Sequence, residues 1–152
     1  MIKNNSGFTL IELLVVISII GILMALSIFG LLGARQSARD AKRKADLEQI
    51  RSGLEMYKSD CTKNKYLIQS TAGAFPDSLA GTNPTCGNTN TYISSPAPKD
   101  PIPSQNYLYY SADGTTYELC ASLEQASASA VLCGASSSCG TSATCNYKVT
   151  SP

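Results

Sequence analysis

The sequence predicts an α+β fold: one long N-terminal α-helix, membrane-spanning in its first half and amphipathic in its second, packed on a small antiparallel β-sheet stabilised by disulfides. Three observations carry this expectation. Leu13 to Ala34 are 22 consecutive residues without a charge. Ala34 to Asp60 contain no proline and are dominated by the helix formers Ala, Arg, Lys, Leu, Glu and Gln. All seven prolines and all six cysteines lie from Cys61 onward, which marks a loop-rich, crosslinked end.

The first element is membrane-length. A hydrocarbon core of about 30 Å takes roughly 20 helical residues, and the run from Leu13 to Leu26 is apolar on every face, where a surface helix would show a polar stripe. A cleaved secretory signal would use Lys3 as its basic start and Ala25-Leu26-Ser27 as its exit. The chain stays apolar to Leu32, however, so a mature protein starting at Ile28 would expose an oily end. Glu12 is the odd residue: a carboxylate in a membrane helix costs about 2.5 to 3.5 kcal/mol and usually faces a partner. No cation lies between Lys3 and Arg35, so its positive partner has to come from processing or from another molecule.

Gly7-Phe8-Thr9-Leu10-Ile11-Glu12-Leu13, preceded by a short leader with Lys3 and followed by the apolar run, closely resembles the class III signal sequence of type IV pilins and type II secretion pseudopilins. The resemblance implies cleavage by prepilin peptidase between Gly7 and Phe8, N-methylation of Phe8, and an assembly contact between Glu12 of an incoming subunit and the Phe8 ammonium of a neighbour. Such a pair forms in low dielectric only when both charges are satisfied together. It also implies the partners: other pilin subunits in a homo-oligomeric filament, the peptidase, a pilus assembly platform, and the membrane before assembly. The cytoplasmic membrane, in a single pass, and then a cell-surface filament are the expected locations. Residues 1–7 are then a leader, 8–34 the membrane and filament-core helix, 35–60 its amphipathic continuation and 61–152 the head. Many members of the family carry a proline where this chain has Phe29, and Gly30 and Gly33 follow it.

Charge gives little direction. Twelve Lys and Arg against eleven Asp and Glu leave a net +1, so no specific nucleic acid is expected. Arg35, Arg39, Lys42, Arg43 and Lys44 follow the span, and the positive-inside rule would keep them in the cytoplasm. The cysteines argue for export, and Asp40, Asp46 and Glu48 partly offset the cluster.

The middle segment should continue the helix, to about 80 Å in all from Phe8 to Asp60 at 1.5 Å per residue, so half of it must protrude from a small domain. Ala34, Ala38, Ala41 and Ala45, then Leu47, Ile50, Leu54 and Tyr57, recur at helical spacing and predict one apolar face. Asp40 with Lys44 and Glu48 with Arg51 predict helix-face pairs. Gly30, Gly33 and Gly53 each weaken a helix by about 1 kcal/mol relative to Ala.

Residues 61–152 hold 25 Ser or Thr and few large aliphatics, a thin core that needs the helix face and crosslinks. The stretch from Phe75 to Pro103 is read as connecting loop with one short element. Tyr107 to Ser111 and Thr115 to Ala121 flank Asp113-Gly114, which predicts a hairpin with a type I′ turn. Ala130-Val131-Leu132 and Tyr147-Lys148-Val149 are weaker strand candidates, for a sheet of three or four strands on the Leu47 to Tyr57 face. By alternation Tyr107, Tyr109 and Tyr117 belong to core or cross-strand packing.

Six cysteines at spacings of 25, 34, 13, 6 and 6 include no Cys-x-x-Cys and read as disulfides, with 15 connectivities open. The favoured set is Cys61 with Cys86, Cys120 with Cys133 and Cys139 with Cys145. Cys133 with Cys139 and Cys120 with Cys145 fits equally well if the last strand lies beside the hairpin.

No catalytic constellation emerges. There is no His, which removes the commonest general base and every His-containing metal site. Asp77, Asp100, Asp113, Glu118 and Glu124 are scattered over expected turns and strand faces. Asp100 could join loop carbonyls around calcium, as in some pseudopilins, but a turn residue is the simpler reading. No cofactor and no metal are expected. A structural filament subunit is favoured, with a minor pilin or a pseudopilin of a secretion or DNA-uptake system as the alternative. A membrane-anchored or secreted disulfide-rich binding domain comes from a different class, and would leave Glu12 without a purpose.

Overall fold

The computed structural model describes residues 7–82, 86–127 and 129–152, and only the backbone of Ile28 and Phe29. Lys3 and the rest of the expected leader up to Ser6 therefore lie outside the described residues. The chain divides into two compact units, one ending at Gln36 and the other running from Ser37 to Pro152. One helix, α1 (Leu10–Asp60), belongs to both. It is unbroken through Gly30, Gly33 and Gly53.

In the N-terminal unit every described apolar side chain from Phe8 to Leu32 is exposed. Burying one Val, Leu or Ile is worth about 1.5–3 kcal/mol, so a segment of this kind is stable only in lipid or against other apolar helices. Its few polar side chains are adapted to such a setting. The Ser18 and Ser27 hydroxyls donate back to the carbonyls of Leu14 and Leu23, each at 2.8 Å, leaving no hydroxyl proton to be satisfied by water.

In the C-terminal unit the second half of α1 buries Leu47, Ile50, Leu54 and Tyr57 completely. The expected face breaks upstream of Leu47. Ala34, Ala38, Ala41 and Ala45 are exposed, and the buried positions are Asp40 and Arg43. The cause is helical phase: Ala45 and Leu47 are two residues apart, which places them roughly 200° apart around the axis, whereas stepping back from Leu47 by four and then three reaches Arg43 and Asp40. Of the expected pairs, Glu48 with Arg51 forms at 3.7 Å. Asp40 pairs with Arg43 at 2.7 Å, and Lys44 instead stands over the Tyr147 ring, 5.7 Å from its centroid.

The sheet that covers this face has four antiparallel strands in the order β1 (Gln69–Ala74), β4 (Leu108–Ser111), β5 (Glu118–Ala121) and β6 (Tyr147–Thr150). A separate two-stranded sheet pairs β2 (Leu79–Ala80) with β3 (Thr91–Ile93). The expected hairpin is β4–β5, with Leu108 opposite Cys120 and Tyr110 opposite Glu118, and the expected last strand is β6. Three elements correct the sequence reading. β2 and β3 form within the Phe75 to Pro103 stretch, where one short element was expected, and β1 forms just before it, where none was assigned. Ala130 to Leu132 form no strand. The hairpin turn is not type I′, which needs positive φ at both central residues: only Gly114 has it, at 80°. Asp113 makes an Asx turn instead, accepting from the Thr115 N–H at 3.0 Å and hydroxyl at 2.6 Å, while the Gly114 carbonyl accepts the Tyr66 N–H at 2.8 Å.

Alternation along the strands divides the head into two apolar layers. Tyr107, Tyr109, Tyr117, Leu119 and Val149 pack with Leu47, Ile50, Leu54 and Tyr57 of α1, as expected of the tyrosines. Each buried ring keeps its hydroxyl paired: Tyr107 donates to Asp46 at 2.7 Å, Tyr109 to the Leu67 carbonyl at 2.6 Å and Tyr117 to Glu55 at 3.2 Å. Burial, reinforced by Asp46, pushes the Tyr107 hydroxyl well above the usual phenol range. Gly53 is buried in the same layer, and a larger residue would not fit without a shift of Ile93, whose Cγ1 would stand 2.6 Å from an added Cβ. On the opposite side, Leu108 and Cys120 pack with Cys133, Cys139 and Cys145. That second layer is carried by 129–145, a segment with little regular structure.

Candidate functional site

The residues singled out by the sequence meet at the start of α1. Thr9 is its N-cap: the Thr9 carbonyl accepts the first helical bond from the Leu13 N–H at 3.3 Å, and Leu10 opens the helix. The Glu12 carboxylate turns back, and its Oε2 accepts both the Thr9 N–H and the Thr9 hydroxyl, each at 2.8 Å. The Glu12 N–H in turn donates to the Thr9 hydroxyl oxygen at 3.3 Å. This is a capping box. It moves the helix start from the expected Phe8 to Leu10.

Phe8, Ile11, Val15 and Val16 line the apolar recess beside Glu12. The carboxylate therefore has neutral hydrogen-bond donors within its own chain. The signal was present in the sequence as Thr9-Leu10-Ile11-Glu12, the Ser/Thr-x-x-Glu spacing at the head of an apolar run. Two neutral donors satisfy part of the carboxylate and leave its charge uncompensated. The geometry presents one anion on an exposed, otherwise apolar surface, which suits pairing with a cation from outside the helix.

The head is organised around Arg43, which is fully buried. Its Nε and Nη2 donate to the two oxygens of Asp100 at 2.8 and 3.1 Å, its Nη1 to Asp40 at 2.7 Å and Glu124 at 2.9 Å, and its Nη2 also to Gln105 at 3.2 Å. Arg39 adds a second fork on Glu124 at 2.7 and 2.5 Å. Asp40 closes the network by accepting the Glu124 and Gln125 N–H groups, each at 2.9 Å. Burial works against the Arg43 charge, but Asp100, Glu124 and Asp40 outweigh it and hold the guanidinium ionised. The Arg39 fork, helped by Arg43, lowers the Glu124 carboxyl to about 2.

This network bears on two sequence expectations. Asp100 is not a free turn carboxylate: Arg43 and the Ile102 N–H, at 2.8 Å, occupy the oxygens that a calcium ion would need. Two of the five cations that follow the apolar segment, Arg39 and Arg43, are paired with head carboxylates.

Among the cysteines, Cys61 is joined to Cys86 and Cys139 to Cys145, two pairs of the favoured set. Cys120 and Cys133 are buried thiols.

The family model of the prokaryotic N-terminal methylation motif matches residues 2–28. The N-terminal segment thus carries the prokaryotic N-terminal methylation motif. The chain is similar to the type II secretion system core protein G of Aeromonas hydrophila, 41% identical over 64 residues, which are 42% of this chain and 43% of that protein. The type IV wide pilus major component PilA4 of Thermus thermophilus is 46% identical over 70 residues, 46% of this chain and 52% of that protein. The core protein G of Escherichia coli is 43% identical over 57 residues, 38% and 39% of the two chains. The chain thus spans about half or less of the length of the curated relatives it matches. No solved structure matches it.

Proposed function

We propose that the chain is a structural subunit of a type IV pilus-like filament, assembled through its N-terminal helix. Prepilin peptidase cleaves between Gly7 and Phe8 and methylates the new Phe8 amine. The helix then holds the subunit in the cytoplasmic membrane in a single pass, with the head exported, until an assembly platform passes it to the growing fibre. The Glu12 carboxylate of the incoming subunit pairs with the Phe8 ammonium of a neighbour. Contacts of this head-to-tail kind do not close into a ring and so generate a helical fibre. The role is mechanical, and it asks no catalysis of the head.

One observation carries this reading. A lone carboxylate, Glu12, stands five residues after a Gly-Phe junction at the head of an exposed apolar helix, inside the segment that matches the methylation motif. Membrane insertion alone gives no reason to keep a charge there. A pseudopilin of a secretion system is the second reading, favoured by the likeness to core protein G; it shares the processing and the pairing and differs in the length and purpose of the filament.

The test is the mass of the N-terminal peptide of the protein recovered from cells. A peptide beginning at Phe8 with one added methyl is expected. A start at Met1 or near Ile28 would make the chain an anchored or secreted domain and remove the assembly role of Glu12.

A further inference from the structure

Cys120 and Cys133 are both fully buried, in the cluster that also contains Leu108 and the Cys139–Cys145 disulfide. Cys120 lies on β5 directly opposite Leu108. The Cys133 thiol reaches the carbonyls of Leu108, at 3.7 Å, and Glu118, at 3.6 Å, which places it over the β4–β5 pair at the residues beside Cys120. Cys120 beside it, together with burial, pushes the Cys133 thiol up.

The backbone around Cys133 is fixed in this position. Cys133 and Ser136 exchange N–H to carbonyl bonds at 2.8 and 3.0 Å, the Gly134 N–H donates to the Glu118 carboxylate at 2.6 Å, and the Val131 N–H donates to the Cys145 carbonyl at 2.8 Å. Glu118 is held in turn by Lys148 on β6, at 3.0 Å. The tight turn is thus anchored to β5 on one side and to the Cys139–Cys145 loop on the other, and its cysteine is carried to Cys120.

We propose that Cys120 and Cys133 close as a third disulfide, stapling β5 to the 129–137 segment. Each thiol gives up its hydrogen, a sulfur–sulfur bond forms, and the two electrons and two protons pass to the disulfide of a thiol–disulfide oxidase, which leaves as a dithiol. Because both sulfurs are inaccessible once the segment has closed, the oxidase must act while 129–137 is still open. The bond covalently completes a layer that has almost no aliphatic side chains of its own. It rests on the exported-head reading above, since a reducing compartment would not supply the oxidant.

The experiment is disulfide mapping of the full chain recovered from the membranes of the cells that make it, alkylated during denaturation without reductant. The expected result is three linked peptide pairs, Cys61–Cys86, Cys120–Cys133 and Cys139–Cys145, and no alkylated cysteine. Alkylation of Cys120 and Cys133 with the other two pairs intact would overturn the third disulfide and leave the export reading standing. Cys120 linked to Cys145 with Cys133 linked to Cys139 would overturn it as well. Alkylation of all six would overturn both.

Discussion

The backbone N–H and the hydroxyl of Thr9 end on the same oxygen of Glu12, each at 2.8 Å. A residue that looked stranded in a membrane helix is thereby bound to the helix start. The two bonds set where α1 begins, and they hold the carboxylate at the end of the helix, where the proposed ammonium of a neighbour would meet it. The N-terminal positive end of the helix dipole favours the same placement.

Thr9→Ala removes the hydroxyl and should cost about 1 kcal/mol of helix-start stability, the usual effect of losing an N-cap. Amide exchange of the full chain in detergent micelles is the readout. The Leu13 N–H, whose bond to the Thr9 carbonyl opens the ladder, should exchange about five-fold faster. Unchanged exchange there would mean that the capping box does not hold the helix start.

Arg43→Met leaves Asp40, Asp100 and Glu124 facing one another around an apolar side chain. Removing one partner of a buried ion network costs about 3–5 kcal/mol, so the head should unfold at markedly lower denaturant, followed by tyrosine fluorescence. Arg43→Lys should not restore it. A lysine keeps the charge but lacks the planar fork that reaches both oxygens of Asp100 and, through Nη1, Asp40 and Glu124.

Acid should attack the same network. The Glu124 carboxyl lies at about 2 in the folded head against an ordinary 4.5, so its folded value is depressed. The stability it contributes is fully present above about pH 4.5 and is lost as the pH falls toward 2. Glu124→Gln should lower stability at neutral pH and flatten the loss between those limits. An acid-unfolding profile with the same slope in both proteins would contradict the role given to the Arg39 and Arg43 pair.

The parts of the molecule that were legible from sequence are those governed by local rules. The apolar run, the unbroken helix to Asp60, the Leu47 to Tyr57 face, the β4–β5 pairing and the inward tyrosines all follow from periodicity and β-propensity. The capping box was equally local, and was hidden because Glu12 was read as a charge in search of a cation rather than as the third residue of a helix. The alanine stripe misled through phase, since four small residues at helical spacing continue the pattern of Leu47 and Ile50 only if the two-residue step between Ala45 and Leu47 is overlooked. Of the outer layer only the Cys139–Cys145 pairing was legible, and β1 was not. Gln69 to Ala74 become a strand through pairing with β4, and Arg43 is buried because Asp100, Gln105 and Glu124, each more than fifty residues away along the chain, converge on it.

The central claim is that Glu12 exists for assembly. Glu12→Ala, expressed in place of the native chain, should still give a membrane-inserted protein cleaved and methylated at Phe8, because the apolar run and the Gly7-Phe8 junction are unchanged. The decisive measurement is the yield of sheared surface filaments from that strain at matched subunit levels in the membrane. A strong reduction or loss of filaments is predicted. A normal yield would contradict the pairing of Glu12 with a neighbour's Phe8 ammonium.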